Sequence, residues 1–239
     1  MIKALLFDIF GTVVNWRSGV IRDAELIAKK YKINFDLEEF ADNWRAEYQP
    51  SMEKIRSGKR GFVKLDILHL ENLEKISKNF GLDIISNVDK SWLNKSWHRL
   101  PPWSDSKEGL LRLKSKFIIG AQSNGNISLI VNMSKVSKLY WDVILGSEVV
   151  GHYKPEPSAY KKACEKLDLK TEECLMVAAH NDDLKGAANE GMKTAFVLRS
   201  KEHGNKQVSD LKPSQDWDYV VNDFHELADK LGCNKEGYF

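Results

Sequence analysis

The chain has 239 residues, 42% hydrophobic and 29% charged, enough to bury a real core as one large or two small domains. Its 36 basic and 34 acidic residues leave a net charge of +2, too weak a field to argue for nucleic acid or a membrane surface as partner. No run approaches the ~18 apolar residues of a membrane span, and the short apolar start, which ends at Asp8, is not a signal peptide. Cys164, Cys174 and Cys233 form neither a metal pattern nor a disulfide framework, so a reducing cytoplasm is the expected location.

Residues 4–7 form a short all-apolar run that suits a strand buried on both faces of a parallel sheet. The run stops at Asp8, followed by Ile9-Phe10-Gly11-Thr12. Ligands of open α/β sheets bind beyond the carboxyl ends of the strands, so Asp8 stands where a nucleophilic carboxylate would. Gly11 permits a tight turn there, and Thr12 can bond to nearby backbone or carboxylate. A strand that simply ends in a capping Asp is the plain alternative.

From residue 15 to about 98 the pattern is helical. Apolar spacing predicts helices over 24–31 and 37–48, with an interruption at Gln49-Pro50-Ser51. A further helix is expected over 66–80, with Ile67, Leu68, Leu70, Leu73 and Ile76 on its apolar side, and another over 88–98. Pro101-Pro102-Trp103 closes this stretch. Strands are then expected over 117–121, 143–145, 175–179, 194–198 and 219–221. Helices are expected over 106–115, 127–136, 158–167, 184–190 and 224–231, with 151–157 a loop. Such alternation predicts an α/β protein, a doubly wound parallel sheet, interrupted after its first strand by an all-helical insertion.

Polar clusters stand at three strand ends and in one loop: Asp8 with Thr12, Ser123 with Asn124, Lys154, and Asp182 with Asp183. A doubly wound sheet brings strand ends to one edge, so the four clusters can share a crevice. Each also has a plain reading. Ser123 and Asn124 suit a turn, Lys154 suits a solvated loop, and Asp182 and Asp183 suit a helix N-terminus.

In this order the clusters resemble the haloacid dehalogenase superfamily from end to end. That resemblance implies a Rossmann-like core, residues 1–14 and 99–239, with residues 15–98 as a helical cap. Most members are phosphatases whose residue two after the nucleophile is a second Asp, which protonates the leaving alkoxide. Here that residue is Phe10. An alkoxide needs a general acid, and attack on a charged phosphate gains from a metal; a halide needs neither.

The chain is more similar still to the metal-free L-2-haloacid dehalogenase branch, through Asp8-x-Phe10-Gly11-Thr12, Trp44-Arg45, Ser123-Asn124-Gly125, Lys154-Pro155 with Tyr160, and Asp183 with Gly186-Ala187. The resemblance implies that Asp8 is the nucleophile and that Arg45 and Asn124 take the halide beside apolar walls including Phe62. It also implies that Ser123 and backbone N–H groups hold the substrate carboxylate, Lys154 offsets charge, and Thr12, Tyr160 and Asp183 orient the rest. Phe10 is counted with the substrate-binding residues. Trp16, Phe62 and Trp103 suit an apolar halide pocket or plain core, and Arg45 a surface helix. The chain departs from the branch at Ala178 and His180, where Ser and Asn are frequent. His180 either replaces that Asn or has no role.

The expected function is therefore hydrolytic dehalogenation of a short 2-haloacid, with no cofactor and no metal, in a cytoplasmic protein that forms a homodimer as family members commonly do. The competing readings are a Mg²⁺-dependent phosphatase using Asp8 with Asp182 or Asp183, and a non-catalytic binding protein on this fold.

Overall fold

A computed structural model describes residues 1–233. Six parallel strands form one sheet in the order β3-β2-β1-β4-β5-β6. They are β1 Ala4–Phe7, β2 Ile118–Ser123, β3 Val143–Gly146, β4 Cys174–Ala178, β5 Lys193–Val197 and β6 Tyr219–Val221. The chain fills one half of the sheet outward from β1, then returns to lay β4 against the other side of β1. The gap between β1 and β4 is thus a topological switch point, where connections leave in opposite directions and a crevice opens at the carboxyl ends. Phe7 is level with Ala121 of β2 and Val177 of β4, which sets Asp8 at that crevice.

Alternation along β1 sends Leu5 and Phe7 into one apolar core and Ala4 and Leu6 into the other. Helices α6 Ser106–Lys114, α7 Ile127–Ser137 and α11 Phe224–Lys230 cover the first face; α8 Ser147–Val150, α9 Pro157–Glu165 and α10 Asn181–Asn189 cover the second. All of β1 is buried, as its unbroken apolar run requires.

Five further helices precede α6 between β1 and β2: α1 Trp16–Tyr31, α2 Leu37–Ala46, α3 Tyr48–Arg56, α4 Leu65–Ser77 and α5 Asn87–Asn94. Their aromatic side chains Trp16, Phe40, Trp44 and Tyr48, with Trp97 from the short 3₁₀ turn Lys95–His98, continue the first core rather than making a separate one. Among the described residues, no helix is long and apolar enough to cross a membrane.

Four local expectations are corrected. The break between α2 and α3 falls at Glu47, not at Gln49-Pro50-Ser51. Pro50 sits in the first turn of α3, where backbone N–H groups have no intrahelical partner to lose. Ile67 is 45% exposed, while His69 and Asn72 face inward with Leu68 and Leu73, so the buried stripe of α4 is rotated and partly polar. The short helix α8 was not expected. Helix α10 begins at Asn181, so Asp182 and Asp183 form its first turn, where carboxylates suit the helix dipole.

Candidate active site

Asp8 follows β1 and is almost fully buried. Its backbone N–H donates to the Val177 carbonyl at 3.0 Å, which ties its position to β4. Lys154 Nζ donates to Asp8 Oδ1 at 3.0 Å and to Asp183 Oδ2 at 2.5 Å, and so bridges the two carboxylates. Thr12 Oγ1 donates to Asp8 Oδ2 at 2.8 Å and accepts from the Ala179 N–H at 2.9 Å. Burial works to raise the pKa of Asp8, but the Lys154 charge, the His180 contact and the Thr12 hydroxyl outweigh it and hold the carboxyl well below the usual range. Lys154 is shifted the other way, upward: burial opposes its charge, and Asp183 and Asp8 overcome that opposition. The group presented to the crevice is a carboxylate beside a fixed ammonium.

His180, the first residue after Ala179, lies 3.2 Å from Asp8 Oδ2 through Nδ1. Its Nε2 reaches Glu202 at 2.9 Å and 3.1 Å. Glu202 is 1% exposed and also accepts from Trp16 Nε1 at 2.9 Å. Burial disfavours charge on His180, but the Glu202 charge and the hydrogen bonds to Asp8 and Glu202 raise its pKa well above the ordinary value. The same pairing keeps Glu202 below its ordinary value against the effect of burial. An imidazolium held between two carboxylates is the resting form of His180.

Gly11 makes this arrangement fit. Its φ of +89° favours glycine, and a Cβ there would come within 2.1 Å of Glu202 Oε1. Glu202 occupies space left by a missing side chain, in a loop far along the chain. No motif marks it; the only cue in the sequence is a carboxylate in the loop that follows β5, two strands from Asp8.

The opposite wall comes from the helices between β1 and β2. Arg45, at the end of α2, lies over the Tyr48 ring at 4.0 Å and the Trp16 ring at 5.4 Å. Its Nη1 is buried with no hydrogen-bond partner among the described residues. Phe10 packs edge-on against Tyr48, His69 and Trp97. His69 stacks on Trp97 at 4.3 Å, and burial pushes its pKa down to about 3, so it is a neutral member of this aromatic wall. Asp8, Phe10, Arg45, Asn124, Lys154 and His180 line a crevice of about 210 Å³, with Asp182, Asp183 and Asp210 at its polar side.

Not every expected residue meets the crevice directly. Asn124 lines it, but its amide is occupied: Oδ1 accepts from the Lys154 N–H at 2.7 Å and Nδ2 faces the Lys154 carbonyl at 3.5 Å. The Ser123 hydroxyl is turned away and accepts from the Gly125 N–H at 3.0 Å. Tyr160 is buried and donates to Asp183 Oδ1 at 2.7 Å. Phe62 is not in the crevice wall; it is 38% exposed and packs on Tyr153 at 5.4 Å. Trp103 donates to the Gly11 carbonyl at 2.7 Å and holds the turn after Asp8.

Lys154 Nζ bridges Asp8 and Asp183, and Phe10 stands two residues after Asp8, where the Mg²⁺-dependent reading expects a second acid. Among the described residues no group of three or more His, Cys, Asp or Glu is arranged to hold a metal ion.

A buried carboxylate at the switch point of a doubly wound sheet, with a helical insertion after the first strand, is the plan of a haloacid dehalogenase-like hydrolase. The model of that family matches residues 2–191, and the chain belongs to it. Within the family it is similar to a solved defluorinating L-2-haloacid dehalogenase, with 44% identity, a TM-score of 0.95, and 97% of this chain and 96% of that one covered. A second solved L-2-haloacid dehalogenase is 38% identical with a TM-score of 0.94, covering 97% of this chain and 99% of that one. The (S)-2-haloacid dehalogenase 4A of Burkholderia cepacia is 27% identical over 98% of this chain and 96% of its own length.

Proposed function

We propose that this chain hydrolyses short (S)-2-haloacids to (R)-2-hydroxyacids and halide, through an ester on Asp8 and without a metal. The observation that carries the reading is the setting of Asp8. It is an ionised carboxylate fixed by Lys154, Thr12 and His180, with the apolar Phe10 where a phosphatase needs a proton donor. The names of the two structures at 44% and 38% identity support it.

In the first step Asp8 attacks C2 from behind, and the carbon–halogen bond breaks with inversion. The halide leaves toward Arg45, whose buried Nη1 has no other partner among the described residues. Lys154 offsets the charge of Asp8 and the incoming carboxylate. Asn124 acts by seating Lys154 through two contacts with its backbone.

In the second step water attacks the ester carbonyl of Asp8. Esterification removes the Asp8 charge, so His180 then faces one carboxylate instead of two and releases its proton more readily. Neutral His180 takes a proton from the water, and Glu202 stabilises the imidazolium that re-forms. The proton passes to the departing alkoxide, the hydroxyacid leaves, and Asp8 returns with one proton released to solvent.

The same reading assigns residues 1–14 and 99–239 to the core and 15–98 to a cap that carries Arg45; residues 234–239 lie outside the described structure. It includes a cytoplasmic homodimer, which light scattering tests. The primary test is halide release from L- and D-2-chloropropionate and chloroacetate in EDTA, for wild type and Asp8→Asn. Release from the L-acid that survives EDTA and vanishes in the variant is expected. Strict Mg²⁺ dependence with phosphate release from esters would overturn the reading. Solvent ¹⁸O must also enter Asp8 over multiple turnovers; steady turnover without label there would falsify the ester route.

A further inference from the structure

The loop that carries Lys154 is gripped by the cap at two successive residues. Tyr153 Oη donates to the Val63 carbonyl at 2.7 Å, and Phe62 packs on the Tyr153 ring. At the next residue, Arg56 Nη1 donates to the Lys154 carbonyl at 3.2 Å. Arg56 ends α3, and its other two nitrogens are held by α3 itself. Nε donates to Glu53 at 2.8 Å and Nη2 to Gln49 Oε1 at 3.2 Å. Gln49 lines the reaction crevice. From the core side, Asn124 holds the N–H of the same residue. The Lys154 backbone is therefore clamped from both sides, one grip from each part of the fold.

A guanidinium fixed at three points is a rigid lever, unlike a flexible ammonium. From this geometry we infer that Arg56 is a positioning residue for Lys154: seating the cap on the 153–154 backbone sets the Lys154 ammonium against Asp8. The inference deepens the dehalogenase reading and rests on it for its kinetic arm. It also gives Phe62 a place, since its ring supports Tyr153 in this seam rather than the halide. A charged hydrogen bond of this kind governs the first step by about 10- to 100-fold. Lys64, which pairs with Glu148 at 3.0 Å, is another cap–core contact that touches neither Tyr153 nor Lys154.

The test uses the full-length protein with Arg56→Met, Arg56→Ala and Lys64→Gln. Rapid-quench measurement of the first-turnover halide burst reads the alkylation step. Amide hydrogen exchange over residues 151–157 reads the loop. The expected result is a burst slowed about 10- to 100-fold in Arg56→Met, faster exchange in that loop, and no change in Lys64→Gln. Ethylguanidinium is expected to restore part of the burst rate in Arg56→Ala, a rescue that a purely structural role would not give. A folded Arg56→Met with a wild-type burst rate overturns the inference, whether or not exchange changes. Equal slowing in Lys64→Gln overturns it too, because any cap contact would then serve. If wild type releases no halide, the dehalogenase reading fails by itself. The exchange arm then decides the clamp alone, and unchanged exchange in Arg56→Met overturns it.

Discussion

Replacing Glu202 by Gln should separate the two chemical steps. The change keeps size and one hydrogen bond but removes the charge facing His180 Nε2 at 2.9 Å. With charge centres about 4 Å apart and an effective dielectric near 20, that charge is worth about 4 kcal/mol to the imidazolium. The first step needs the Asp8 carboxylate and the Lys154 ammonium, neither of which contacts Glu202. The second step needs His180 to hold a proton taken from water, so only part of the full charge effect appears in its transition state. A fall of about 100- to 1,000-fold in ester hydrolysis is expected, in the range of general base catalysis. In a rapid-quench experiment with L-2-chloropropionate, Glu202→Gln should release about one halide per active site at near the wild-type rate and then stall. Mass spectrometry of the stalled enzyme should find the ester on the peptide that contains Asp8. Equal loss of burst and steady rate, or wild-type steady turnover, would refute this division of labour.

Four further outcomes follow from the same geometry. Trp16→Phe removes the Nε1 donor to Glu202 and should slow hydrolysis about tenfold, with the halide burst intact by rapid quench. Because Lys154, His180 and Thr12 hold Asp8 below its free value of 3.8, kcat/KM should stay level as pH falls from 7 to about 4.5, and an acid limb near ordinary carboxylate values would contradict this. His180 is shifted the other way, upward from 6.5, so its stabilisation is complete below that pH and is lost as pH rises through the folded value. The Tm advantage of wild type over His180→Gln should therefore shrink from pH 6 toward pH 9, and a growing gap would reverse the sign of the argument. Phe10→Asp should not create a phosphatase, since it buries a carboxylate among Tyr48, His69 and Trp97; a loss of more than about 3 kcal/mol in urea unfolding is expected.

The sheet was legible because its signals are local. An apolar run such as Ala4–Phe7 that ends in a lone acid has few other uses, and strand-end clusters must converge once the strands are parallel. Asp8, Thr12, Lys154 and Asp183 meet for that reason, and Tyr160 joins them through Asp183. What stayed hidden depends on packing between distant segments. Glu202 belongs to no periodic pattern and is recruited by His180, Trp16 and an empty side-chain position. The inward turn of His69 reflects an aromatic wall assembled from three separate stretches. Residue type placed Phe62 among candidate substrate contacts, yet its partner is Tyr153, because the 57–64 loop reaches toward the 151–157 loop rather than into the crevice.

Gly11 and Glu202 fill one another's space, and this has a consequence for how such chains can diversify. A larger residue at position 11 collides with the carboxylate, whereas a smaller one at position 202 leaves a void against the turn that follows Asp8. Neither site can drift alone. Across relatives that keep His180, glycine at 11 and an acid at 202 are expected to occur together; losing the acid at 202 removes the collision at 11 but not the left-handed backbone that favours glycine there. The capacity for the hydrolytic step would then be inherited as a matched pair of residues rather than as a single catalytic side chain.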